Sequence, residues 1–131
     1  MKPMILKTTP EQEFYTAERC HILECSNLPD DPEVSIARAR VEPGVTTQWH
    51  RLKDTTERYY ILSGRGRVEV GDLSPQEVSA GDVVLIPPNC RQRISNLGSD
   101  DLLFLAICSP RFVPEAYEDA EDAARHSRNQ S

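Results

Sequence analysis

Short segments of alternating apolar and polar residues recur along the chain, separated by Gly, Pro, Asn and Asp. In residues 34–41, Ala37, Ala39 and Val41 fall on one face of an extended segment and two arginines fall on the other. This period of two predicts a half-buried strand. The same pattern, or a short apolar run bounded by turn residues, predicts further strands at residues 20–25, 58–62, 67–70, 83–86, 91–95 and 102–108.

Strands of this length and spacing predict an all-β sandwich or barrel. The glycine-rich residues 63–66 suggest a hairpin between neighbouring strands, and the strands at 91–95 and 102–108 are expected to form a last pair. We expect a single domain over residues 1–112, including the N-terminal strands. Residues 113–131 are expected to form a short helix and a polar tail, because Pro114 and early acidic residues favour a helix start.

Composition narrows the classes of function. Fifteen Lys and Arg against 21 Asp and Glu give a net charge of −6, which argues against nucleic acid or an anionic membrane as partner. The apolar run at residues 3–6 is too short for a signal peptide or a membrane span, so a cytoplasmic location is expected. The four cysteines have no zinc-type spacing and are expected to be reduced thiols.

Residues 44–64 carry the first candidate motif for chemistry. Gly44, His50, Glu57 and Gly64 match the first cupin motif in type and spacing, and Leu52 stands where that motif has its second histidine. Because residues two apart on a strand share a face, Gln48, His50 and Leu52 are expected to project together.

Residues 81–96 resemble the second cupin motif. Gly81, Pro87 and Asn96 match, whereas Asn89 replaces a glycine and Gln92 replaces the metal-binding histidine. The resemblance to the cupin superfamily implies a double-stranded β-helix, or jelly-roll barrel, with a short C-terminal helix after it. It implies much less about the reaction, because cupins include enzymes, binding proteins and storage proteins.

The resemblance places the metal-ligand positions at His50, Glu57 and Gln92, with Gln48 as a further candidate. Imidazole and carboxylate suit Mn, Fe, Ni or Zn, whereas a carboxamide oxygen is a weaker ligand. A second register, in which Gln48, His50 and Glu57 resemble the zinc ligands of phosphomannose isomerases, stays open. So does a metal-free polar network, in which Glu57 pairs with His50 or with Arg93.

The pocket residues expected from the same faces are a mixed set of polar, small and aromatic side chains. They are Gln48, Leu52, Tyr59, Cys90, Phe104 and Ala106. For Tyr59 and Phe104, and for Trp49 outside this set, packing is the competing interpretation.

Three hypotheses of function follow. The first is a cupin barrel that weakly binds a divalent transition metal and a small polar metabolite, with dioxygenase- or isomerase-like chemistry as one option. The second is a metal-free binding or sensor module without catalysis, motivated by Leu52 and Gln92. The third is a structural or dimerisation role without a ligand. Whether the chain is an enzyme stays open. We expect a homodimer, because the resemblance to small cupins implies pairing through sheet edges and because exposed strand edges need covering.

Overall fold

Eleven strands and two 3₁₀ turns build two antiparallel sheets in the computed structural model, which describes residues 1–121. The strands are β1 (Phe14–Tyr15), β2 (His21–Ser26), β3 (Ser35–Val41), β4 (His50–Leu52), β5 (Thr56–Ser63), β6 (Arg65–Val70), β7 (Gln76–Ser79), β8 (Val83–Ile86), β9 (Gln92–Asn96), β10 (Leu102–Ser109) and β11 (Tyr117–Asp119). The 3₁₀ turns lie at Pro10–Gln12 and Pro114–Ala116. The all-β prediction is confirmed.

The two sheets exchange strands along the chain. One sheet has the order β1-β2-β3-β10-β5-β8, and the other has the order β11-β4-β9-β6-β7. Consecutive strands therefore often lie in different sheets, as in a jelly roll. This crossing brings β4 and β9 of one sheet opposite β5 and β10 of the other, where the candidate ligand positions lie.

The connection at residues 63–66 does not form the expected hairpin. Gly64 alone separates β5 from β6, and these strands belong to different sheets. Its φ of +91° is one that side-chain-bearing residues rarely adopt, and an added Cβ would lie 3.0 Å from the Leu102 Cα. The chain thus changes sheet at a point where only glycine fits. The expected pairing of residues 91–95 with 102–108 is wrong for the same topological reason, because β9 and β10 lie in different sheets.

The C-terminal segment also differs from the sequence-based expectation. Residues 114–119 form a 3₁₀ turn and then β11, rather than the start of a helix. β11 pairs with β4, with Tyr117 opposite Leu52 and Asp119 opposite His50. Hydrogen bonds to an open sheet edge outweigh weak local helix propensity in so short a segment. The predicted helix beyond residue 121 lies outside the described residues.

The core lies between the inward faces of the two sheets. Its largest fully buried apolar side chains are Ile61, Ile86, Ile94 and Leu102, each at most 1 % exposed. Burying such a side chain contributes about 1.5–3 kcal/mol relative to exposure. The outward residues of β8, Val83 and Leu85, are 53 % and 70 % exposed, so the apolar run at 83–86 is buried on one face only.

Asn89 fixes the turn that holds β4 beside β9. It stands where the second motif has glycine and takes a positive φ of 65°, a conformation that asparagine tolerates better than most residues. Its backbone N–H donates to the Leu52 carbonyl oxygen at 2.9 Å, and its Oδ1 accepts from the Asp54 N–H at 3.1 Å. The substitution therefore keeps the turn geometry and adds a link to the end of β4.

None of the helical segments in residues 1–121 is long and apolar enough to cross a membrane.

Candidate functional site

A cavity of about 390 Å³ opens between the two sheets. Its walls are mainly apolar, with Phe14, Ile22, Ile36, Leu52 and Phe112 among the lining residues. The polar lining residues include Glu18, Glu24, Gln48, His50, Glu57 and Tyr117. A volume of this size with a few converging polar groups is typical of a small-molecule site.

His50 lies at the polar end of this cavity. It is 5 % exposed, and its Nδ1 lies 2.9 Å from the Gln48 carbonyl oxygen. Because a carbonyl oxygen only accepts hydrogen bonds, Nδ1 carries the proton of this bond. Nε2 makes no hydrogen bond with residues 1–121. In the neutral imidazole, Nε2 is therefore a free acceptor.

Glu57 and Gln92 form a buried pair across the two sheets. Glu57 is 7 % and Gln92 is 1 % exposed, and the Gln92 Nε2 donates to Glu57 Oε1 at 2.7 Å. Burial raises the pKa of Glu57, although His50 and the Gln92 hydrogen bond act in the opposite direction. Gln92 Oε1 has no hydrogen-bond partner among residues 1–121. The pair thus presents a carboxyl group with a raised pKa and a spare amide acceptor.

Two residues outside the motifs complete the polar end. Glu18, between β1 and β2, places Oε2 at 3.7 Å from His50 Nδ1 and accepts the Gln48 backbone N–H through its own carbonyl at 3.0 Å. Tyr117, in β11, stacks on the His50 ring with centroids 5.1 Å apart and donates its hydroxyl proton to Gln48 Oε1 at 3.0 Å. Burial raises the pKa of the Tyr117 hydroxyl, so it stays a donor.

Sequence reasoning missed both residues. Glu18 lies in a polar stretch outside both motifs, and Tyr117 lies in the segment expected to be a helix. Neither has a motif relationship to His50, and only the pairing of β11 with β4 brings Tyr117 to the site.

Five of the six expected pocket residues line two cavities, and Cys90 lines neither. Gln48, Leu52 and Ala106 line the main cavity. Tyr59 and Phe104 line a smaller cavity of about 40 Å³, which Glu18, His50 and Glu57 also line. The centroids of the Tyr59 and Phe104 rings lie 4.4 Å apart.

Two further side chains considered from the sequence lie apart from this site. Cys90 packs against the core and lines neither of these cavities. Arg93 pairs with Glu69 rather than with Glu57, and its guanidinium lies 4.5 Å from the centre of the Trp49 ring. Trp49 is 6 % exposed and packs against Ala120, in agreement with a packing role.

The four expected metal-ligand positions supply few strong donors. Among residues 1–121, no group of three or more His, Cys, Asp or Glu side chains is arranged to hold a metal ion. Leu52, two residues from His50, offers no ligand atom because its side chain is a hydrocarbon. Gln92 directs its NH₂ group, not its oxygen, toward Glu57, and Gln48 Oε1 already accepts a hydrogen bond from Tyr117. His50 and Glu57 remain as the two strong donors. This set does not fit a firmly held transition metal, which takes three or four such ligands.

Comparison with known proteins identifies the family. The family model of the cupin domain matches residues 37–108, more than half of the chain. An uncharacterised protein of Methanocaldococcus jannaschii is 38 % identical over 95 residues, covering 72 % of this chain and 73 % of the relative. The oxalate-binding protein of Thermotoga maritima is 31 % identical over 90 residues, covering 69 % of this chain and 73 % of that protein.

Oxalate decarboxylase of Bacillus subtilis is a further relative, 30 % identical over 103 residues, or 74 % of this chain. The match spans only 27 % of that enzyme's length. Its structure at pH 4.6 superimposes with a TM-score of 0.78 at 19 % identity, covering 96 % of this chain and 34 % of that chain, which describes the fold alone. The family model covers more than half of this chain, and the match to two of the relatives covers 73 % of each of them. Both findings agree with the two sequence motifs, and the chain belongs to the cupin family.

Proposed function

We propose that this chain binds a small organic molecule in the 390 Å³ cavity, with His50 and Glu57 as its polar anchors and without a firmly bound metal. The observation that carries the proposal is a buried imidazole with a free Nε2 beside a buried carboxyl group, at the end of an otherwise apolar cavity. Such a site combines apolar contact area with a few oriented hydrogen-bonding groups.

Weak metal binding stays a prediction. The metals expected from the sequence, Mn, Fe, Ni or Zn, would contact His50 Nε2 and Glu57. Gln92 would have to rotate its amide to offer Oε1 to them, which breaks its hydrogen bond to Glu57. Elemental analysis after incubation with each metal tests this. Stoichiometric metal that survives gel filtration would contradict the metal-independent proposal.

A proton-transfer enzyme is a second candidate. Glu57, with its raised pKa, can donate a proton, and the free His50 Nε2 can accept one. The relatives named for oxalate include both a decarboxylase and a binding protein, so kinship supports either function. If the chain is an enzyme, Glu57→Gln should abolish turnover while leaving ligand affinity within about tenfold.

Protein-detected NMR with a metabolite panel tests the binding proposal. EDTA-treated protein is titrated with small acids, polyols, nucleosides and amines. We expect at least one class to shift the amide resonances of β4, β5 and β10. Ala106→Phe, which fills the cavity, should remove these shifts, whereas the matched outer-face variant Leu105→Phe should keep them. Absence of any response across the panel would refute the proposal.

A further inference from the structure

The charge of the cavity wall is one-sided. Glu18, Glu24 and Glu57 line it, His50 is the one basic side chain among the described lining residues, and no lysine or arginine is in that set. Arg111 is outside that set, and its Nη1 donates to Asn27 Oδ1 at the edge of the cavity.

The arginines on the strands of the six-stranded sheet are not among the lining residues and have partners of their own. Arg38 and Arg40 pair with Glu13, Arg40 also pairs with Asp101, and Arg58 donates to Ser109 Oγ. Among the described lining residues, a bound anion would thus meet carboxylates and no lysine or arginine.

The deep end is also rich in acceptors. His50 Nε2 has no hydrogen-bond partner among residues 1–121, and the His50 side chain, which lines the cavity, is more than nine-tenths buried. Glu57 Oε2 has only the weak Cys108 thiol as donor, at 3.8 Å. Groups of this kind need a donor, because a buried acceptor that is left unpaired costs free energy.

An alkylammonium group satisfies both conditions. It carries one positive charge and three N–H donors and accepts no hydrogen bonds. Its hydrocarbon part can lie along Phe14, Ile22 and Phe112. A dicarboxylate offers the opposite charge and further acceptors.

Resting on the small-molecule binding proposed above, we propose that the cavity selects a primary organic ammonium with an apolar body and rejects dicarboxylates such as oxalate. Glu18 and Glu57 recognise the ammonium, His50 Nε2 accepts one of its protons, and the apolar wall holds the hydrocarbon. Glu18, which lies outside both sequence motifs, then determines specificity for charge.

Isothermal titration of EDTA-treated protein with matched probes tests this inference. The probes are phenethylammonium, 2-phenylethanol, 3-phenylpropionate and oxalate. The first three share a phenyl-bearing apolar body and are positive, neutral and negative, and oxalate is an anion without that body. We expect phenethylammonium to bind at least tenfold more tightly than the alcohol, and the two anions to show no measurable binding. Glu18→Gln should reduce the affinity for the ammonium at least tenfold and change that for the alcohol less than threefold. The matched surface variant Glu115→Gln should change neither.

Other outcomes overturn the inference and separate it from the proposed function. Binding of oxalate or 3-phenylpropionate as tight as that of the ammonium overturns the charge selection while leaving a binding cavity in place. If phenethylammonium does not bind but a neutral member of the NMR panel shifts the amide resonances of the cavity strands, the charge selection is likewise overturned and the binding cavity stays. No response to any compound in either experiment refutes both proposals.

Discussion

Replacing Leu52 and Gln92 by histidine together should convert this site into a firm metal centre. Leu52 is 4 % exposed and lies on the same face of β4 as His50, and Gln92 is the register partner of His50 across β9. Gln92 also contacts Glu57 at 2.7 Å. The double variant Leu52→His/Gln92→His would therefore gather three imidazoles and one carboxylate around one point.

The expected gain in affinity can be scaled from the number of strong donors. Structural zinc sites with four ligands bind with about 10–16 kcal/mol, or roughly 2.5–4 kcal/mol per ligand. Two donors, His50 and Glu57, then give the natural chain a zinc Kd between about 1 μM and 0.2 mM. Two added histidines contribute about 5–8 kcal/mol more, an increase of at least about four-thousandfold. Burying the polar ring at position 52 costs about 1–3 kcal/mol of apo stability.

Competition against a chromophoric zinc chelator measures both affinities, and thermal unfolding with and without zinc confirms that the variants fold. Leu52→Met combined with Gln92→Met is the matched control, because it alters the same positions without adding imidazole. Submicromolar zinc binding by the natural chain would refute the donor count. A double histidine variant that folds but gains less than about a hundredfold would refute the convergence of the four positions.

Three further predictions concern stability and assembly. Because burial raises the pKa of Glu57, the folded chain keeps this proton to higher pH than the unfolded chain, so stability should fall as pH rises from about 4.5 through the folded pKa. Glu57→Gln should flatten that part of the profile of unfolding temperature against pH, and parallel curves would contradict the assignment. A hydrogen bond from an arginine of β3 lowers the pKa of Glu13, so its stabilisation is present above its unfolded pKa and lost as pH falls through the folded value. In urea denaturation at pH 7, Glu13→Gln should cost about 1.5–3 kcal/mol, whereas exposed Glu11→Gln should cost less than about 0.5 kcal/mol. The homodimer stays a prediction: light scattering should give twice the mass of one chain, and Leu85→Glu on the exposed apolar face of β8 should yield monomers while Leu73→Glu should not. A concentration-independent monomer mass for the natural chain would contradict it.

Most strand positions could be predicted from the sequence because they depend on local patterns. Alternation in residues 34–41 and the turn residues around 83–86 place β3 and β8 within about one residue. Strand partners could not be predicted, because nothing local distinguishes a hairpin from a change of sheet at Gly64. The C-terminal segment misled for a related reason: its acidic, alanine-containing sequence suits a helix, but the free edge of β4 provides better backbone partners.

The resemblance of the sequence to the two cupin motifs was enough to predict the fold, the candidate positions His50 and Glu57, and the loss of two histidines at positions 52 and 92. These follow from residue types at fixed spacings along the chain, which are a local property. Only the tertiary structure decided what surrounds those residues. The approach of Glu18 and Tyr117, the direction of the Gln92 amide and the one-sided charge of the cavity wall arise from segments far apart in the chain. Charge and hydrogen-bonding capacity at a site depend on every group that meets there, and the two motifs carry only some of them.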